Sequence, residues 1–329
     1  MKKRIAVIAL SVIALLFVIL PVMADPIDVA LEAEVARIAS ALPQKMVVSV
    51  GNIVYADKEI GSSFSNYIQE KLSDALQKNP KFEVFRKDKL DEILKEIKFG
   101  LSGLVEEGTA VEPGKLKGLQ ALFSGKFFDE GPYITVYLDL VSVESGTVLS
   151  KSSLRINRND IPASISILPE NYNDALALLK ELTQVNAAQT NQFIVKAWPD
   201  RGKGATYRNG EDMILNVYAN RDCYIKIFHI DANKQLSLIF PNQWSRSNQI
   251  KKNTLYQIPD ESYSFVWKLQ PPFGTEFFKV IAQTEQFKDI EDSFTPLGDA
   301  TKGLVTRGIG TLKRDVQTAE TMTNYTIIE

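Results

Sequence analysis

The chain has 329 residues, 45% apolar and 24% charged, with 38 Lys plus Arg against 40 Asp plus Glu. That is the composition of folded globular domains, not of a disordered tail or a multi-span membrane protein, and the length suits two domains. A single Cys and a single His exclude an internal disulfide and a His/Cys zinc site, which takes three or four such ligands.

The first 24 residues read as an export signal. Lys2, Lys3 and Arg4 form a basic start, Ile5 to Leu20 is an uncharged apolar run, and Pro21 precedes Val22-Met23-Ala24. Cleavage after Ala24 would start the mature chain at Asp25. An uncleaved anchor stays open, because about 20 apolar residues can span a bilayer. No Cys stands near residue 24, so no lipid anchor is expected there. Loss of the three basic residues moves the net charge from −2 to −5, which gives no electrostatic case for binding nucleic acid.

From Asp25 onward strand and helix signals alternate. Met46 to Tyr55 is an apolar, β-branched run that predicts a strand. Glu59 to Gln77 places Ile60, Phe64, Ile68 and Leu72 on one face of an amphipathic helix that Asn79-Pro80 ends. Phe82 to Phe85 predicts a short strand, Lys87 to Phe99 a second helix, Gly100 to Gly108 a loop, and Pro113 to Gly118 a further short helix. Ala121 to Phe128, Tyr133 to Val143 and Thr147 to Ile156 predict three strands, the last two joined by the hairpin turn Glu144-Ser145-Gly146.

Pro169 to Ala188 predicts a connecting helix with a stripe of Ala175, Leu178, Leu182 and Val185. Beyond it the period changes to short strands over Phe193 to Ala197, Met213 to Tyr218, Tyr224 to Ile230, Leu236 to Phe240, Tyr263 to Leu269 and Phe277 to Thr284. Asn209-Gly210, Asp231-Ala232-Asn233 and Pro271-Pro272-Phe273-Gly274 supply the turns of a β-sandwich. Ser293 to Glu320 reads as irregular with some helical potential, and Asn324 to Ile328 as a last strand.

The N-terminal runs VVSVGNIV, FEVFRKDKLDEILKE, LQALFSGKF and YLDLVSVESGTVLSKSS resemble the TolB-N-like/CsgG-like envelope domains, a group that includes FlgO flagellar proteins and Lpo-type activators. The resemblance covers about residues 45 to 156 and implies a non-enzymatic envelope module. Farther on, Tyr207, Gly210-Glu211, Asp222, Phe228, Asp231, Leu238 to Asn242, Ile258-Pro259, Pro272, Gly274 and Glu276 resemble the uncharacterised domain of unknown function numbered 4384. That resemblance runs from about Gln192 to Gln286 and implies an accessory module with no assigned activity.

Chemistry-bearing patterns are few. Cys223 and His229 fall six residues apart in one predicted strand, about 20 Å at 3.3 Å per residue, so they cannot pair. They share a face with Ile225 and Ile227, which reads as a packed row. Gly108 to Leu116 fails as a phosphate loop, having Leu where Ser or Thr should bind magnesium. Gly308-Ile309-Gly310, Glu106-Glu107 and Asp289 with Glu291-Asp292 lack the context of a nucleotide or calcium loop. What remains is recognition: Phe240, Pro241, Asn242, Trp244 and Arg246 form a loop after a strand, and Trp and Arg are enriched at interface hot spots. Packing of Trp244 on the core rim is the alternative.

The sequence thus predicts an α+β protein in two domains after a signal at 1–24. A CsgG/FlgO-like α/β domain with a mixed sheet and flanking helices occupies 25–165, a linking helix 166–190, and an antiparallel β-sandwich 191–329. The expected role is non-catalytic, without cofactor or metal: assembly, scaffolding or regulation through an envelope protein or glycan, in the periplasm or at the outer-membrane periphery, alone or as an oligomer. A CsgG-type secretion-channel subunit and an envelope enzyme without a recognisable motif are the alternatives.

Overall fold

The computed structural model describes residues 25–56, 59–85, 118–178, 193–288, 290, 292–299 and 316–329. The signal segment, the predicted Lys87 to Phe99 helix with its loop and following short helix, the second half of the Pro169 to Ala188 helix, and the Gly308 turn lie outside them.

The N-terminal unit opens with a helix absent from the sequence-based expectations, α1 (Pro26–Ala41). Asp25 caps it by accepting from Ile27 N at 2.9 Å, and Pro26 takes the first turn, where its missing N–H leaves no bond unmade. Ile27, Leu31, Val35 and Ile38 form its buried stripe; each such side chain contributes roughly 1.5–3 kcal/mol on leaving water. Next come β1 (Met46–Tyr55) and α2 (Ser63–Lys78). The second helix starts later than its apolar period predicts, because Ser62 and Ser65 close a reciprocal capping box and Glu59 to Gly61 remain a loop. The unit is completed by β2 (Phe82–Val84), β3 (Ala121–Asp129), β4 (Tyr133–Ser142) and β5 (Val148–Asn157).

The sheet order is β2-β1-β3-β4-β5. Strands β2, β1 and β3 run parallel and β3 to β5 antiparallel, so this is the mixed α/β sheet that the sequence predicts. Alternation in β4 sends Ile134, Val136, Leu138 and Leu140 into the core beneath the two helices.

Residues 172–178 are helical, and Ala175 and Leu178 are buried against the second unit. That unit is built from strands: β6 (Val195–Pro199), β7 (Thr206–Arg208), β8 (Asp212–Met213), β9 (Leu215–Ala219), β10 (Cys223–Ile230), β11 (Gln235–Phe240), β12 (Gln249–Ile250), β13 (Leu255–Ile258), β14 (Trp267–Lys268), β15 (Gly274–Gln283), β16 (Pro296–Asp299) and β17 (Thr318–Ile328). The main sheet has the order β16-β11-β10-β15-β17-β7, with β12 beside β10. A smaller sheet, β13-β9-β6, faces it across a shared core that includes Leu215, Val217, Ile225, Ile227, Val280 and Ile327. The opposite face of the main sheet carries Phe228, Ile230 and Phe277 beneath the 172–178 helix.

Two expectations need correction. Only Trp267–Lys268 of the predicted Tyr263 to Leu269 strand pairs, with β8; residues 263–266 run irregularly and bring their rings to one side. The predicted irregular stretch Ser293 to Glu320 contains β16 and the start of β17. Its glycines and modest helical potential read as irregular, yet β17 lies between β15 and β7, where ladder bonds on both sides fix it as a strand.

The two units touch mainly through the loop before α2, with further contacts from β1 and α2. Asn324 Nδ2 donates to Glu59 O at 2.9 Å, Thr326 Oγ1 to Gly61 O at 3.1 Å, and Asn52 Nδ2 to Arg201 O at 2.7 Å. Lys203 pairs with Glu59 and Arg208 with Glu70 around these bonds. Gly204 adopts φ +71 at this contact, and a Cβ there would stand 2.1 Å from Glu59 O; only glycine lets the backbones approach so closely.

Candidate functional site

The FPN sequence after β11 builds a fixed loop. Asn242 is buried; its Oδ1 accepts from Trp244 N and Ser245 N, both at 3.0 Å, and its Nδ2 donates to Ile239 O at 3.0 Å. Phe240 and Pro241 are buried beneath it, whereas Trp244 is 52% exposed and Arg246 is exposed. Of the five residues predicted for a binding patch, three therefore shape the loop and two face solvent.

Trp244 is the outer end of a run of rings. Its centroid lies 6.1 Å from Phe265 and 5.7 Å from Phe294. Inward, Phe265 meets Trp267 at 6.2 Å, Trp267 stacks on Phe278 at 5.7 Å, Phe278 on Tyr325 at 5.1 Å, and Tyr325 meets Tyr207 edge-on at 5.9 Å. Such offset and edge contacts each add about 0.5–1.5 kcal/mol beyond burial. Phe294, 45% exposed, is held at φ +60, a conformation unusual for a bulky residue.

Where the run reaches β17 a polar cluster forms that sequence reasoning missed. Tyr325 OH donates to Glu276 Oε2 at 2.6 Å, His229 Nε2 lies 2.8 Å from the same oxygen, and Ala232 N donates to Glu276 Oε1 at 3.3 Å. The register explains the meeting: Glu276 faces Tyr325 directly across β15 and β17, and His229, opposite Phe278, is its diagonal neighbour. His229 does continue the Cys223, Ile225, Ile227 row, but at an end that opens on a cleft of about 300 Å³. The cleft is bounded by Asp231 and Gln235 on one side and by Lys268, Gln270 and Pro271 on the other, with Phe294 also in its wall.

Burial, then the neighbouring Glu276, pushes the Tyr325 hydroxyl well above its ordinary range. Cys223 is buried, and its thiol is pushed up to about 12 by loss of solvation. The Asp292 of one acidic pattern is exposed; Glu106, Glu107, Asp289, Glu291 and the Gly108 loop lie outside the described residues. Among the described residues no cluster of three or more His, Cys, Asp or Glu could hold a metal ion, and no helix is long and apolar enough to cross a membrane.

Two family models match the chain: "Curli production assembly/transport component CsgG" over residues 32–132, and "Domain of unknown function (DUF4384)" over 206–286. The first unit is thus CsgG-like, with the match beginning inside α1, and the second contains a DUF4384-like region. That region takes in His229, Trp244 and Glu276 but stops before Phe294 and Tyr325. Among solved structures the chain is similar to the LpoB C-terminal domain from Escherichia coli, at 14% identity and a TM-score of 0.33, over 40% of this chain and 99% of that one. It is also similar to lipoprotein GNA1162 from Neisseria meningitidis, at 13% identity and a TM-score of 0.27, over 45% and 100% of the respective chains. No curated protein matches. The CsgG match fits an accessory role in the cell envelope.

Proposed function

We propose that the protein is an exported, non-catalytic accessory component of the cell envelope, which works by holding a protein or glycan partner on the Trp244 face of its second unit. The observation that carries this reading is the half-exposed Trp244, fixed by Asn242 and flanked by the exposed Phe294. Leaving large rings in water forgoes burial energy, and rigid exposed aromatics are the anchors from which interfaces are built. The chemistry of Tyr325 in the cluster and of Cys223 at the far end of β10 supports a binding role. A tyrosine whose hydroxyl stays protonated is a poor base, and a thiol pushed up to about 12 is a poor nucleophile at neutral pH.

The test is crosslinking in intact cells followed by mass spectrometry, comparing the full chain with Trp244→Ala and Arg246→Ala. Loss of specific crosslinks in the variants is expected; an unchanged set of partners would sink the proposal. The match to a curli assembly/transport component favours a second reading, a secretion-channel subunit. Ring-shaped oligomers extracted only by detergent would support that reading, and a freely soluble monomer would eliminate it.

A further inference from the structure

We infer that the cleft beside the Trp244 face is a binding site for a neutral, hydroxyl-rich oligosaccharide: the ring of Trp244 stacks on one sugar, with Phe294 standing edge-on beside it, and the cleft takes the next. This rests on the reading of the Trp244 face as a partner-binding surface and names the class of partner. Continuity comes from Phe294, which contacts Trp244 at 5.7 Å and also lines the cleft. Its left-handed backbone is an observed outlier for a bulky side chain, and such strain gathers at ligand clamps. Phe294 N donates to Leu238 O at 2.8 Å, which ties this residue to β11 while its ring stays half in solvent.

The size and chemistry of the cleft select the ligand. At about 300 Å³ it lies at the lower end of ligand sites. Its polar groups are mainly acceptors or mixed. Asp231 uses Oδ1 for the turn, accepting from Asn233 N and Gln235 N. The exposed amides of Gln235 and Gln270 can each donate and accept. The cation on the wall is already committed, because Lys268 Nζ bonds Asp212 Oδ1 at 2.7 Å and Gly210 O at 3.0 Å.

Asp231, beside a lysine already paired, disfavours phosphates, sulfates and uronates and welcomes hydroxyl donors. The His229 ring presents Nε2 to Glu276 and Tyr325, which leaves Nδ1 as a further polar atom of a residue on the cleft wall. A pyranose has the matching pair of faces: hydroxyls on its rim for the amides, and C–H bonds for the negative faces of aromatic rings.

The experiment titrates the full chain with cellotetraose, N-acetylchitotetraose and, as the anionic control, tetragalacturonate, read by calorimetry and tryptophan fluorescence. At least one neutral probe should bind saturably. Trp244→Ala, Gln235→Ala and Gln270→Ala should each weaken it about tenfold or more, and the anionic probe should not bind. Gln235 and Gln270 are exposed, so their variants test the site without endangering the fold. Failure of both neutral probes, binding indifferent to the three variants, or preference for the uronate would each overturn the inference. If both neutral probes fail while Trp244→Ala still removes crosslinked protein partners, this inference falls and the partner-binding reading stands; if Trp244→Ala changes neither measurement, both fall.

Discussion

Replacing Gly204 by alanine tests the contact between the two units. At φ +71 an L-residue is strained by about 1–2 kcal/mol whatever surrounds it. The added methyl would also stand 2.1 Å from Glu59 O, 2.8 Å from Glu59 C and 3.1 Å from Val54 Cγ1. The nearest atoms are backbone and cannot rotate away, so relief requires moving the loop that holds the bonds to Asn324 and Thr326, an overpacking penalty of about 1–3 kcal/mol. The sum is about 2–5 kcal/mol. Gly210→Ala is the control, since Gly210 sits at φ +83, an added methyl there would meet nothing within 4 Å, and the variant suffers the conformational part alone. Urea unfolding of both variants in the full chain, followed by circular dichroism, should show Gly204→Ala the less stable by about 1–3 kcal/mol. Equal losses, or a greater loss at Gly210, would mean that residues 59 and 204 do not approach in solution.

Tyr325→Phe should destabilise the protein by about 1–3 kcal/mol in the same assay, because it removes a donor from buried Glu276; a loss below about 0.5 kcal/mol would show that the carboxylate finds another partner. Hydrogen bonding from Lys71 holds the Asp25 carboxyl below its ordinary range. Its contribution is therefore complete above ~4 and is lost as the pH falls through the lower folded-state value, so acid unfolding of Asp25→Asn should be less steep than that of the wild type. For Lys71, burial disfavours the charge, but hydrogen bonds to Asp25 and Asp28 outweigh it and raise its pKa, so this stabilisation is complete below ~10.4 and disappears only at higher pH. With its thiol pushed up to about 12, Cys223 should resist an aromatic disulfide reagent at pH ~8 in the native protein and react fully in urea; rapid native labelling would contradict its burial.

The sequence revealed elements with a strong period and few competing signals. Met46 to Tyr55 has the same bounds in sequence and structure, because it is a short run rich in β-branched residues, bounded by Pro43 and Asp57, with no helical repeat. Helix α1 carries a cap, a first-turn proline and an apolar stripe, yet its closeness to the export signal hides it. Strands β8, β12 and β14 have only two residues each, too few for alternation to register. Trp244 and Asn242 are legible as a loop motif because they lie in one short run of sequence. The His229, Glu276 and Tyr325 cluster is not, since 47 and 49 residues separate its members and only strand register brings them together.

The bonds from Asn324 and Thr326 to the loop before α2 bear on the order of folding. Each spans 265 positions of chain. The first unit can bury Leu31, Phe64 and Ile134 from its own residues, but the carbonyls of Glu59 and Gly61 must stay hydrated until β17 has entered the main sheet. Contacts of such length close late, after local structure has made the search shorter. The junction therefore forms as a seal on a finished sandwich, and a chain that stalls before that point leaves its first unit folded with this edge still wet.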